Sequence, residues 1–261
     1  MSDPILEVAD VSVRFGGLAA LTDISFSVQR GELFALIGPN GAGKTTLVNS
    51  VTSVYTPQPG ARITFNSDKS GSFELLAMKP HRIARVGLAR TFQNLGLFTK
   101  LSVLDNLMLG RYFHGRTGVF GGGFMTPRMR REEVENRERV EEIIELLDIA
   151  GVRHEPVGSL PYGVQKRIEL GRVLAMEPEL LMLDEPMAGM SVEEKQDMVG
   201  FIFDVRAALG TTVFLIEHDM GVVMAIAERV MVIDNGVHVA TGTPSEVKSD
   251  QAVIAAYLGD E

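Results

Sequence analysis

The chain has 261 residues, 45% of them hydrophobic and 23% charged, the composition of a globular protein with ample chain to bury a core. Lys and Arg number 25 against 34 Asp and Glu, a formal net charge of −9, so the overall field repels nucleic acid and anionic lipid. With no cysteine, disulfides, thiolate metal sites and cysteine nucleophiles are excluded.

The opening MSDPILEVADVSVRF has neither the basic start nor the apolar run of a secretory signal. No apolar stretch approaches the ~18 residues of a membrane span. The expectation is a soluble, cytoplasmic protein. Ile5 to Val13 and Ile24 to Val28 mix apolar and polar residues in short runs, which predicts antiparallel strands. Leu33-Phe34-Ala35-Leu36-Ile37 is apolar throughout and ends at a glycine, the pattern of a buried parallel strand. From about Leu101 to Ala175 strand signals vanish. Within that span, Gly115 to Gly123 predicts a loop. Arg130 to Leu147, charged except at Val134, Ile143, Ile144 and Leu147, predicts a surface helix. Leu180 to Leu183, Val213 to Ile216 and Val230 to Ile233 then repeat the buried-strand pattern. The fold class is therefore α/β with a parallel sheet, built from residues 1–99 and 177–261. Residues 100–176 form an inserted helical subdomain.

The motif richest in chemistry is Gly38-Pro39-Asn40-Gly41-Ala42-Gly43-Lys44-Thr45, followed by Thr46 and placed directly after the Leu33–Ile37 strand. Glycines let consecutive backbone N–H groups curl around phosphates at a helix N-terminus, where the helix dipole also favours anions. Lys44 reaches the β- and γ-phosphates in such a loop, and the Thr45 hydroxyl ligates Mg²⁺. Leu180 to Leu183 ends in Asp184-Glu185, two carboxylates at a strand end. Asp184 fits a Mg²⁺ ligand and Glu185 a group that polarises the attacking water. After the Val213–Ile216 strand comes Glu217-His218-Asp219. His218 fits either a satisfied structural histidine or a hydrogen-bond donor to a γ-phosphate oxygen. Gln93, taken alone, says nothing.

In this order the motifs resemble the ATP-binding subunit of ABC transporters, along essentially the whole chain. The resemblance implies a P-loop core with an N-terminal antiparallel β-subdomain and an inserted helical subdomain. It implies ATP and Mg²⁺ as cofactors, with Phe15 stacking on adenine and Gln93 touching Mg²⁺ and the attacking water. His218 matches the switch histidine. Leu160-Pro161-Tyr162-Gly163 falls where the family's LSGGQ signature contacts the ATP of a partner chain. Implied partners are integral-membrane permease subunits, a second ABC ATPase chain and an upstream solute-binding protein, at the cytoplasmic face of the membrane, with no nucleic acid. The insert near Arg111 to Arg131, the LPYG segment, Glu185-Pro186-Met187-Ala188-Gly189 and the ending Ala256-Tyr257-Leu258-Gly259 resemble the ATPases of branched-chain amino-acid importers.

Two departures from the family pattern stand out. Pro161 occupies the signature serine position, with neither hydroxyl nor N–H to offer a phosphate. Ser191 replaces the aspartate of the loop after the second carboxylate motif, and with Glu194 it predicts a helix-opening capping box. Because the altered signature segment serves the partner's ATP, a heterodimer with unequal sites is favoured over a homodimer. Leu95, Leu97 and Phe98 fit either a docking groove for a membrane subunit or core packing. The competing functions are a non-hydrolysing ATP-binding regulator and the ATPase of a lipid-exporting system.

Overall fold

A computed structural model describes residues 3–91, 96–112 and 127–258. The chain divides into two compact units, one of residues 1–88, 179–185 and 210–261, the other of residues 89–178 and 186–209.

The first unit carries both sheets except for Ala89 and Arg90 at the end of one edge strand. Apolar runs five residues long with no polar alternation must be buried on both faces, and β3 (Leu33–Ile37), β7 (Leu180–Asp184) and β8 (Thr212–Ile216) are buried at every position. With β9 (Arg229–Asp234) they pair in parallel, β3 lying between β8 and β9 and β7 beyond β8. β10 (Val237–Gly242) extends this sheet antiparallel to β9, and the three-residue β6 (Leu88–Arg90) closes its other edge.

The second sheet is antiparallel, in the order β2-β1-β4-β5, from β1 (Leu6–Phe15), β2 (Leu18–Val28), β4 (Arg62–Ser67) and β5 (Gly71–Glu74). Its inward residues Leu6, Val8, Ile24, Ile63 and Phe65 join Leu36, Phe214 and Ile216 of the parallel sheet in one core. Phe26 stacks on Phe34 at 5.6 Å between ring centroids, and Phe34 meets Phe214 at 5.4 Å. Such aromatic pairs add about 0.5–1.5 kcal/mol each beyond area burial.

Helix α1 (Lys44–Val51) follows β3 and buries Leu47, Val48 and Val51 against that core. The short α2 (Pro80–Ile83) precedes β6, α7 (Met220–Ile226) follows β8, and α8 (Pro244–Ser249) and α9 (Gln251–Leu258) end the chain.

The second unit is helical: α3 (Val103–Arg111), α4 (Pro127–Leu146), α5 (Tyr162–Leu174) and α6 (Val192–Leu209). Close crossing of α3 and α5 rests on Gly110, where an added Cβ would strike the Arg172 carbonyl and lie 2.9 Å from Ala175 Cβ. Arg111, at the end of α3, donates to the Ala175 carbonyl at 3.0 Å and pairs with Glu177 at 2.8 Å. The predicted helix over Arg130 to Leu147 is α4. The predicted glycine loop at Gly115 to Gly123 lies outside the described residues.

The four apolar runs of the sequence are the four parallel strands. β4, β5, β6 and β10 carry no such signal: β6 has three residues, and β5 and β10 have no buried position.

Candidate nucleotide site

The loop Gly38–Gly43 joins β3 to α1, and close packing on the loop demands glycine at two of its positions. A Cβ on Gly38 would collide with the Ile233 carbonyl. One on Gly43, which has φ 102°, would lie 2.8 Å from both the Ala20 carbonyl and Leu21 Cδ2. Gly41, at φ 84°, faces open space. Gly43 is the N-cap of α1 and supplies no side-chain cap, so the first-turn N–H groups of the helix remain available to an anion.

Lys44 is buried. Its Nζ donates to the Gly38 carbonyl at 2.6 Å and to the Pro39 carbonyl at 2.9 Å, curling the loop around the ammonium. Burial pulls the Lys44 pKa below its ordinary value, and the carboxylates of Glu185 and Asp184 oppose that shift. Thr45 is exposed beside it and Thr46 half-buried, while Pro39 and Asn40 reach the surface and Ala42 is buried.

Asp184 is buried at the end of β7, in register with Ile216 of β8. Glu185 follows with φ 49°, a left-handed conformation that costs a non-glycine residue about 1–2 kcal/mol. Its N–H donates to the Ile216 carbonyl at 2.8 Å, holding this strained residue against β8. His218 Nδ1 lies 4.0 Å from Glu185 Oε2 and 3.7 Å from Glu217 Oε2. Glu217 is 1% exposed, whereas the imidazole is half open to solvent. Asp219 caps α7, accepting from the N–H groups of Gly221 and Val222. Phe15, at the end of β1, is 47% exposed and meets the Tyr55 ring edge-on at 5.2 Å.

The first unit thus combines a cationic, N–H-rich loop with two carboxylates and an imidazole at the strand ends. A hydroxyl and a buried carboxylate are hard oxygen donors, the set that suits Mg²⁺. Thr45 and Asp184 fit that ion by their chemistry. Gln93 and Leu95 lie outside the described residues; Leu97 is half-buried and Phe98 exposed.

In the second unit Pro161 is the N-cap of α5, without a side-chain hydrogen bond, and Leu160 precedes it in extended conformation. Tyr162 opens the helix and is 42% exposed. A Cβ on Gly163 would overlap the Glu194 carboxylate. The expected capping box is present: the Ser191 N–H donates to Glu194 Oε2 at 2.8 Å, and the Glu194 N–H to Ser191 Oγ at 3.2 Å.

A family model described as ABC transporter matches residues 21–188, and a second, described as Branched-chain amino acid ATP-binding cassette transporter, matches residues 238–261. The chain belongs to the ABC transporter family of ATP-binding proteins. It is 39% identical over 260 residues to the high-affinity branched-chain amino acid transport ATP-binding protein BraF of Pseudomonas aeruginosa, with all of both chains covered. To the protein of the same description named LivG in Escherichia coli the identity is 37%, again over the whole of both chains. Among solved structures, an ATP-binding cassette of an ABC transporter in its ADP conformation superposes with a TM-score of 0.82. It is 28% identical and covers 99% of this chain and 100% of its own. A nucleotide-free ATP-binding cassette from an ABC transporter gives 0.81 at 28% identity, covering 98% and 99%. This ABC ATPase is an ATP-binding, ATP-hydrolysing enzyme of α/β fold. Among the described residues no helix is long and apolar enough to cross a membrane.

Sequence reasoning named Glu217 and Tyr257 within motifs but gave neither a role of its own. Glu217 had a signal, an acid caught between an apolar strand and a histidine. Tyr257 had none: its hydroxyl is buried beside the Gly38 backbone, a neighbour more than two hundred residues away in sequence.

Proposed function

We propose that this ABC ATPase is the ATP-hydrolysing subunit of an importer for branched-chain amino acids or a related small solute. The observation that carries the chemistry is the gathering of Lys44, Asp184, Glu185 and His218 at one end of the parallel sheet. The solute class is supported by the branched-chain match over residues 238–261 and by the names of the full-length relatives.

Gly38, Asn40, Gly41, Ala42, Gly43 and Thr46 cradle the ATP phosphates through backbone N–H groups, Pro39, which has no N–H, shapes the loop through its fixed φ, and Lys44 gives up its carbonyl partners to reach the β- and γ-phosphates. Phe15 offers its exposed ring to adenine. Thr45, Asp184 and Gln93 would hold Mg²⁺, which would supply neutralisation of charge on the phosphate oxygens. Glu185 accepts a hydrogen bond from the attacking water and orients it for in-line displacement. His218, with Nδ1 turned toward Glu185 and Glu217, keeps its other ring nitrogen for a γ-phosphate oxygen.

The ATPase works as a pair, in which Leu160, Pro161, Tyr162 and Gly163 of one chain meet the ATP of the other. With proline at the signature serine position, a second, different ATPase chain is the favoured partner. Membrane permeases and an upstream solute-binding protein complete the system, which places this chain at the cytoplasmic membrane face.

The test is Glu185→Gln, assayed for ATP binding, phosphate release and size in solution with and without Mg-ATP. Retained binding with lost turnover supports the enzyme assignment, and unchanged turnover overturns the role of Glu185. An ATP-dependent dimer of this single chain overturns the need for a different partner; a monomer that binds ATP supports it.

A further inference from the structure

Tyr162 takes the place of a signature glycine, and its side chain does something a glycine cannot. Its hydroxyl donates to the Ala188 carbonyl at 3.2 Å. Its ring lies where a Cβ on Gly189, itself at φ 78°, would come within 3.3 Å of Tyr162 Cε1. Lys166, one turn further along α5 and buried, sits 5.9 Å over the same ring. From the other direction Glu194 brings its carboxylate against Gly163 while closing the capping box on Ser191. Inside one unit of the chain the signature segment thus hydrogen-bonds the turn Ala188–Ser191 at Tyr162 and packs closely on Glu194, just beyond that turn, at Gly163.

We propose that Tyr162 is a positioning residue that fastens the turn Ala188–Ser191 to the start of α5, so that the two segments form one preassembled surface. The geometry favours a tether over a surface aromatic of no consequence. Phenol, backbone carbonyl and glycine backbone meet at a point where the chain has no regular secondary structure to hold it, since α6 begins only at Val192. Gly189 matters here because a Cβ at that position would be strained at φ 78° and would crowd the ring at 3.3 Å, asking it to give by a few tenths of an ångström. This tether gives the tyrosine a purpose that a glycine at its position, without a side chain, does not supply. That the surface faces a partner chain rests on the pairing proposed above; the tether itself does not.

The test is amide hydrogen exchange on the full chain, comparing the parent with Tyr162→Phe, which keeps the ring and loses only the hydroxyl, and with Tyr162→Leu, which loses both. Exchange over residues 187–191 is expected to rise about three- to ten-fold in Tyr162→Phe and further in Tyr162→Leu, the fold-change expected for one lost hydrogen bond. Peptides over Gly38–Thr46 serve as the control and stay at parent rates. Parent rates over 187–191 in both variants, or a rise spread equally over the control peptides, overturn the proposal. In the ATPase with its partner, Tyr162→Phe is expected to lower kcat with little change in KM for ATP, because each chain's own phosphate loop sets the latter. Should exchange respond while kcat does not, the tether stands and the partner-facing role of this surface falls.

Discussion

The Glu185 carboxylate and the His218 imidazole approach to 4.0 Å from the ends of neighbouring parallel strands, β7 and β8, with buried Glu217 3.7 Å from the same Nδ1. The register of the sheet fixes this approach, since Asp184 pairs with Ile216 and the Glu185 N–H donates to the Ile216 carbonyl. Removing the Glu185 charge leaves the backbone anchor intact, so Glu185→Gln is expected to fold normally and bind ATP. Its phosphate release should fall about 10²–10⁴-fold, the usual reach of a positioned general base. Steady-state phosphate release alongside a nucleotide-binding titration checks both parts.

The same residue is strained. At φ 49° Glu185 occupies a conformation that glycine adopts freely. Relief of the strain, less the entropy glycine loses on folding, leaves Glu185→Gly more stable by about 1 kcal/mol, or about 2–4 °C in Tm, while turnover is lost. Thermal unfolding of the variant without nucleotide is the check.

Two glycines of the phosphate loop separate backbone strain from crowding. Gly41→Ala meets only the left-handed φ, a cost of about 1–2 kcal/mol. Gly43→Ala also pushes a methyl to 2.8 Å from the Ala20 carbonyl and Leu21 Cδ2, which adds about 1–3 kcal/mol of overpacking and shifts the start of α1. Gly43→Ala is therefore expected to lower Tm more than Gly41→Ala and to lose ATP binding more completely.

Burial of the Tyr257 hydroxyl pushes its pKa up to about 12; the nearby Gly38 backbone opposes this and the Asp234 charge adds to it. The native state therefore disfavours tyrosinate. The stability this gives is full below pH 10, where an unfolded tyrosine titrates, and is lost as the pH rises toward 12. Of the four tyrosines, one is expected to ionise late in an ultraviolet titration, and Tyr257→Phe should delete that late component and flatten the loss of stability between pH 10 and 12.

Much of this molecule was legible in its sequence because the relevant forces are local. Leu33–Ile37 and the other apolar runs announce strands buried on both faces, and the glycine pattern before Lys44 states the backbone conformations that the loop requires. Ser191 and Glu194, three residues apart, close their capping box as their spacing predicts. What was hidden depends on residues brought together only by folding. Tyr162 and Ala188 are 26 residues apart with no periodic signal between them, and the Glu217 carboxylate takes its meaning from its burial under His218. The edge strand β10 was illegible for another reason: with no position buried, apolar patterning has nothing to encode.

The two hydrogen bonds from Lys44 to the Gly38 and Pro39 carbonyls make nucleotide capture an exchange rather than a simple filling. An incoming anion must offer the ammonium at least as much as it surrenders. A diphosphate or triphosphate tail can present oxygens to Lys44 while its remaining phosphates occupy the loop N–H groups; a lone phosphate must choose between them. The loop's own carbonyls thus stand as a competitor, built into the chain, for the Lys44 ammonium.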